Sequence, residues 1–210
     1  MGNFTQLAEM PAARRIRGSK ENTASPCATL IPQPTMDSAL AILRREHQRM
    51  LAAAADTEAL AAAIEAGRAV PAATLEAATE FFSLFAHRVH RDKEEDLLFP
   101  ELRRKGVRET SCIGPLLSDH DDATAAFAAM QQATDPRPWA RAARRYCDRL
   151  RYHVRREEIV LANAEQLLSS AEQQALAEQF AQYEDKARRS GLAERIEAAE
   201  RVLASFLSLT

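Results

Sequence analysis

Cysteine, glycine and aromatic residues are all scarce in this chain. Of 210 residues, three are cysteine and six are glycine, and aromatics make up 6%. Cys27, Cys112 and Cys147 are odd in number, widely separated and in no C-x-x-C pair. That pattern argues against a disulfide framework and a thiolate metal site, and points to free thiols in a reducing, cytoplasmic setting. No apolar run approaches the roughly 18 residues of a membrane span, and the opening MGNFTQLAEM lacks the apolar stretch of a secretory signal. A myristoylation signal is missing too, since Gln6 stands where Ser or Thr is required. Excess charge of either sign is also lacking: 28 basic against 30 acidic residues leave a net −2. Such a chain has no electrostatic pull toward nucleic acid or an anionic membrane, and neither is expected as a partner.

Alanine is abundant, at about a fifth of the residues, and Leu, Glu, Arg and Gln accompany it. These side chains lose the least entropy in a helix, and strand-like runs of Val, Ile and Thr do not occur. Prolines and glycines beyond residue 35 sit almost entirely at junctions: Gly67 with Pro71, Gly106, Gly114 with Pro115, Pro136 with Pro138, and Gly191. Between them the pattern predicts helices over 36–66, 71–104, 115–134 and 137–168, followed by shorter ones over 171–188 and 191–208. Pro100 is expected to end or kink the second helix. Ser170 with Gln173 reads as a capping box for the fifth. Short connections make consecutive helices antiparallel neighbours, so residues 35–168 are expected to form an all-α, up-down-up-down four-helix bundle. Residues 169–210 would pack against it as C-terminal helices. The first 34 residues carry Pro11, Pro26, Pro32 and Pro34, a basic Arg14-Arg15-Ile16-Arg17 and no helical period, and read as a disordered arm.

The chemistry lies in a duplicated pattern. His90 to Leu98 and His153 to Leu161 both read H-x-x-[KR]-E-E-x-x-L, and the preceding helix of each pair carries an acidic residue followed by histidine, Glu46-His47 and Asp119-His120. At about 100° per residue, His47 continues the apolar stripe of Leu40, Leu43 and Met50, and His120 that of Leu116, Ala123 and Phe127. His90 and Glu94 share a face with Phe82, Ala86 and Leu97; His153 and Glu157 share one with Tyr146, Leu150 and Val160. Glu95 and Glu158, five positions after their histidines, should face away. Arg91, Lys93, Arg155 and Arg156 read as solvated. His87 is expected at the rim or in a pocket, and Tyr146 in the core or lining that pocket.

Carboxylates in an apolar core need cations or shared protons. Four imidazoles and two carboxylates exceed one tetrahedral zinc site but suit two ions bridged by both carboxylates, with an open position on each. This donor mixture favours iron or manganese over calcium. The metal-free alternative is Glu–His pairing between helices, in a module whose C-terminal helices bind a partner.

At these positions the sequence resembles the hemerythrin-like, or HHE cation-binding, family of non-haem di-iron proteins. The phrase from Phe85-Ala86-His87-Arg88-Val89-His90 through Lys93-Glu94-Glu95-Asp96-Leu97-Leu98-Phe99-Pro100 is similar to its second-helix signature, and the resemblance spans about residues 36–168. It implies two iron ions held by His47, His90, Glu94, His120, His153 and Glu157, with Glu94 and Glu157 bridging. It also implies binding or sensing of a small diatomic ligand, oxygen or nitric oxide, or of iron itself. Within the same family, an iron donor for iron–sulfur cluster repair or an enzyme reducing oxygen, peroxide or nitric oxide is the alternative. Thr124 stands where the oxygen-carrier branch has a further histidine, and the arm has only Cys27 where the repair branch carries adjacent cysteines.

Overall fold

Ser38 opens the first helix, its hydroxyl accepting from the Ala41 amide at 3.3 Å and so satisfying one of the amides a helix start leaves free. This is the start of the region that the computed structural model describes, residues 37–207; the arm expected over residues 1–34 lies outside it. Helix α1 is Ala39–Glu65. Helix α2 runs without interruption through residues 72–104, from Ala72–Phe81 to Phe99–Arg104. Helices α3 (Gly114–Gln131), α4 (Pro136–Leu167), α5 (Ser170–Arg189) and α6 (Leu192–Leu207) follow. No strand occurs among the described residues, and none of their helices is long and apolar enough to cross a membrane.

The expected punctuation works through backbone geometry. Gly67 and Gly106 adopt φ of 79° and 84°, and the residue after each, Arg68 or Val107, donates back to Ala63 or Leu102. Each therefore closes its helix in a left-handed turn that a side chain would strain.

Two local expectations are corrected. Helix α5 is capped one residue earlier than expected, by Ser169 and Glu172, which bond reciprocally in place of Ser170 and Gln173. Pro100 does not end α2, which continues to Arg104. Two π-helical stretches, Phe82–His90 and Glu94–Leu98, precede the proline, so its missing N–H falls where the hydrogen-bond register is already changing. A third π turn, Glu109–Ile113, occupies part of the connection before α3.

Alpha-helical packing buries two separate apolar clusters. One contains Met50, Leu60, Phe81, Phe82, Phe127, Tyr146 and Leu150, and α6 adds Ile196, Ala199 and Leu203. The other contains Leu40, Leu43, Leu98, Phe99, Leu116 and Leu161, and α5 adds Leu176, Ala177 and Phe180. Each fully buried Leu or Phe contributes roughly 1.5–3 kcal/mol, so these clusters provide most of the stabilisation. Helix α4 packs extensively on α1 and α3, and α6 on α2. Ion pairs at the margins, such as Arg144–Glu65 and Arg195–Glu80, are exposed to solvent that screens them and add little. Between the clusters, each of α1 to α4 carries a short polar interruption: Glu46 and His47, His90 to Glu94, His120, and His153 with Glu157. The functional residues therefore form a slab across the middle of the helices.

Candidate metal centre

The polar slab brings all six sequence-predicted residues together. His47, His90, His120 and His153 are 2–6% exposed, and Glu94 and Glu157 are completely buried. Each histidine turns Nε2 toward a glutamate. His90 Nε2 lies 2.7 Å from Glu94 Oε1 and His47 Nε2 3.7 Å from the same oxygen, while His120 Nε2 lies 3.2 Å from Glu94 Oε2. Glu157 Oε2 is 3.1 Å from His47 Nε2 and 3.2 Å from His153 Nε2. Glu94 thus faces two histidines with one oxygen and a third with the other.

These separations match a shared ion as well as they match hydrogen bonds. Two donors about 2.1 Å from one ion and at right angles lie about 3.0 Å apart. His90 Nε2, both Glu94 oxygens and Glu157 Oε1 are buried yet make no aligned hydrogen bond. Close approach without alignment means that the atoms converge on common points between them. They form two overlapping groups able to hold a cation, His47, His90, Glu94 and Glu157 in one and Glu94, His120 and His153 in the other, with donor atoms within 4.8 Å of one another. The donor set fits a borderline transition metal better than calcium, which takes oxygen alone.

Without a cation, the same groups neutralise one another. Burial opposes a charge on Glu94, but the surrounding His90, His120 and His47 overcome it and hold the carboxyl well below the usual range. Burial would likewise lower His47, yet the Glu157 and Glu94 carboxylates lift it to about 9. His90 is raised well above its ordinary value because Glu94 and Glu46 outweigh its desolvation.

Further residues support the ligands from behind. His90 Nδ1 donates to Glu46 Oε2 at 2.9 Å, and His120 Nδ1 to Glu95 Oε1 at 2.6 Å. A hydrogen bond at Nδ1 fixes the ring and leaves Nε2 free to ligate. Asp119 occupies the place of Glu46 in the second copy, 3.9 Å from His153 Nδ1 and 2.8 Å from Arg156.

Glu95 therefore does not face away. Its side chain, 29% exposed, reaches from the edge of α2 to His120 on α3, at the start of the π-helical Glu94–Leu98 stretch. Lys93 is not solvated either. It is completely buried, paired with Glu46 and, at 2.8 Å, with Glu184. Glu158 does face outward, bonded to Arg44. The signal for Glu46 and Asp119 was present in sequence as the acidic residue before each first histidine; Glu184 had no such signal.

His87 stacks against both Phe127 and Tyr146, with ring centroids 4.7 and 5.7 Å away, in a cluster where those two rings are 5.2 Å from each other. Burial pushes its imidazole down to about 4, so it is neutral near pH 7. His87 and Tyr146 line a cavity of about 30 Å³ that His90, His120 and His153 also border. The larger surface grooves lie elsewhere.

No curated protein and no solved structure matches this chain. One family model does match, that of the hemerythrin HHE cation binding domain, over residues 38–164. This segment contains all six clustered residues and more than half of the chain. The protein belongs to the hemerythrin HHE cation-binding family.

Proposed function

We propose that the chain is a non-haem di-iron protein that binds or senses a small diatomic ligand, oxygen or nitric oxide. His47, His90, Glu94, His120, His153 and Glu157 would hold the ions, with Glu94 and Glu157 bridging, and residues 35–168 would run up-down-up-down around them. The observation that carries this reading is the cavity of about 30 Å³ beside three of the histidines. A water-sized volume admits a diatomic molecule and little else. Two ferrous ions would supply electrons and an open position each. The chain's own residues supply the rest: Met50, Ala86 and Leu150 give the cavity apolar walls, the imidazole of His87 is neutral near pH 7, and Arg91 brings a positive charge to its border.

The test is metal content per chain of freshly purified protein, with absorption spectra in air, after reduction and under nitric oxide. About two irons and a stable, reversible ligand spectrum are expected. Continuous consumption of a reductant would favour the di-iron enzyme, and release of iron to an acceptor the cluster-repair donor. Protein with no affinity for iron would sink the reading and leave a helical interaction module.

A further inference from the structure

The two halves of the centre are built from the same sequence pattern, and each has one histidine held at Nδ1, His90 by Glu46 and His120 by Glu95, but the equivalent carboxylates of the pattern, Glu46 and Asp119, do different work. In each, a carboxylate preceding the first histidine lies between the Nδ1 of the second histidine and the basic residue three positions beyond it. In one half these are Glu46, His90 and Lys93; in the other they are Asp119, His153 and Arg156.

Their geometries diverge. Glu46 Oε2 is 2.9 Å from His90 Nδ1, whereas Asp119 Oδ2 is 3.9 Å from His153 Nδ1, whose nitrogen makes no hydrogen bond. Lys93 has no exposure, while the Arg156 side chain is 34% exposed. Helix α5, which lies beyond the family-matched residues 38–164, packs on α1 and α2, the helices that carry Glu46, His90 and Lys93. It lays Phe180 under the Lys93 ammonium, 5.7 Å from the ring centroid, and brings Glu184 Oε1 to 2.8 Å from Nζ.

A buried ammonium between two carboxylates is held in place, since withdrawing Glu184, itself 40% exposed, leaves the fully buried Lys93 with Glu46 as its one ion-pair partner. Lys93 in turn holds one oxygen of Glu46, so that the other meets the Nδ1 proton of His90 and Nε2 is aimed at the ion. We propose that Glu184, Lys93 and Glu46 form a positioning chain through which α5 sets His90, so that one of the two metal positions depends on α5 and the other does not. This inference rests on the di-iron reading above. Coupling of this kind is reciprocal: if α5 tightens the ion, the ion must tighten α5.

The experiment uses the full chain and Fe(II) alone, titrated without oxygen, together with hydrogen exchange across α5. Wild-type protein is expected to take up two ions and to slow exchange in α5 on loading. Glu184→Ala should weaken one ion about ten-fold, the lower end of the effect of removing a ligand's hydrogen-bonded support. It should leave the other ion unchanged and abolish the slowing in α5. Glu184→Gln, which still offers Lys93 an amide oxygen, should recover part of both effects. Glu178→Ala, on the exposed face of the same helix, should behave as wild type. Two ions bound with wild-type affinity by Glu184→Ala, even with a lowered melting temperature, would overturn the inference and leave the di-iron reading intact. A wild-type chain that takes up no iron would overturn both.

Discussion

Glu94, Glu95 and Glu158 show how far one side chain's duty depends on local winding. Glu94 is fully buried among three imidazoles, Glu95 holds His120 by Nδ1, and Glu158 pairs with Arg44 at the surface. Glu94→Ala should therefore remove most bound iron, and Glu158→Ala none. Glu95→Ala should retain two ions with an affinity about 10–100-fold weaker. Iron retained after dialysis against a graded chelator would separate the three. Identical retention by all of them would refute the assignment. His87 offers a second check, because its imidazole titrates near 4 in the fold and near its ordinary value of about 6.5 when unfolded. The unfolded chain binds this proton first, so the wild-type fold loses stability as the pH falls from 6.5 toward 4. In metal-free protein, His87→Leu should gain about 2 kcal/mol relative to wild type between pH 7 and pH 5. Urea unfolding at the two values measures it, and a pH-independent difference would show that His87 is not held neutral.

At the scale of elements, most boundaries were legible because backbone chemistry dictates them. Gly67 and Gly106 close α1 and α2 in left-handed turns, and Pro136 starts α4 where its absent N–H costs nothing. The facing of the six donors was legible because α1, α3 and α4 follow a 3.6-residue period near them and His90 and Glu94 stay one turn apart on α2. What escaped was the π winding of α2. No residue type marks a π turn, and a uniform 100° step set Glu95 facing away, while proline chemistry alone gave Pro100 as an end or a kink of α2. Lys93 escaped because its partner Glu184 lies 91 residues away, and no local pattern predicts which polar stripe another helix will cover. The cap of α5 was misread by one position because serines stand at both 169 and 170. Ser169→Ala should cost about 1 kcal/mol and leave metal content unchanged, whereas Ser170→Ala should be nearly neutral. Chemical denaturation of both variants distinguishes the two caps.

For the whole molecule, metal and protons compete for one set of nitrogens. The His47–Glu157 pairing raises His47 to about 9, above the unfolded value of about 6.5. It therefore stabilises the metal-free fold fully below pH 6.5 and is lost as the pH rises toward 9. Glu94 and Glu157 are lowered, so their contribution is present above the ordinary carboxyl range and is lost as the pH falls below it. Iron needs unprotonated imidazoles, so it replaces the pairing that high pH removes. The rise in melting temperature on saturation with Fe(II) should be small at pH 5.5 and grow steadily to pH 8. Circular dichroism melts of loaded and stripped protein measure the increment. An increment independent of pH would mean that binding displaces no protons from these histidines.

The division of the apolar interior into two clusters has a consequence for how the fold comes apart. Each of α1 to α4 crosses from one cluster to the other through the polar slab, so water entering at either end meets a layer whose cohesion is ionic. The molecule thus has two apolar units sharing the same helices, one closed by α5 and the other by α6, and hydrogen exchange on stripped protein should show them opening separately. The ions, at their junction, are what would make the two halves open as one.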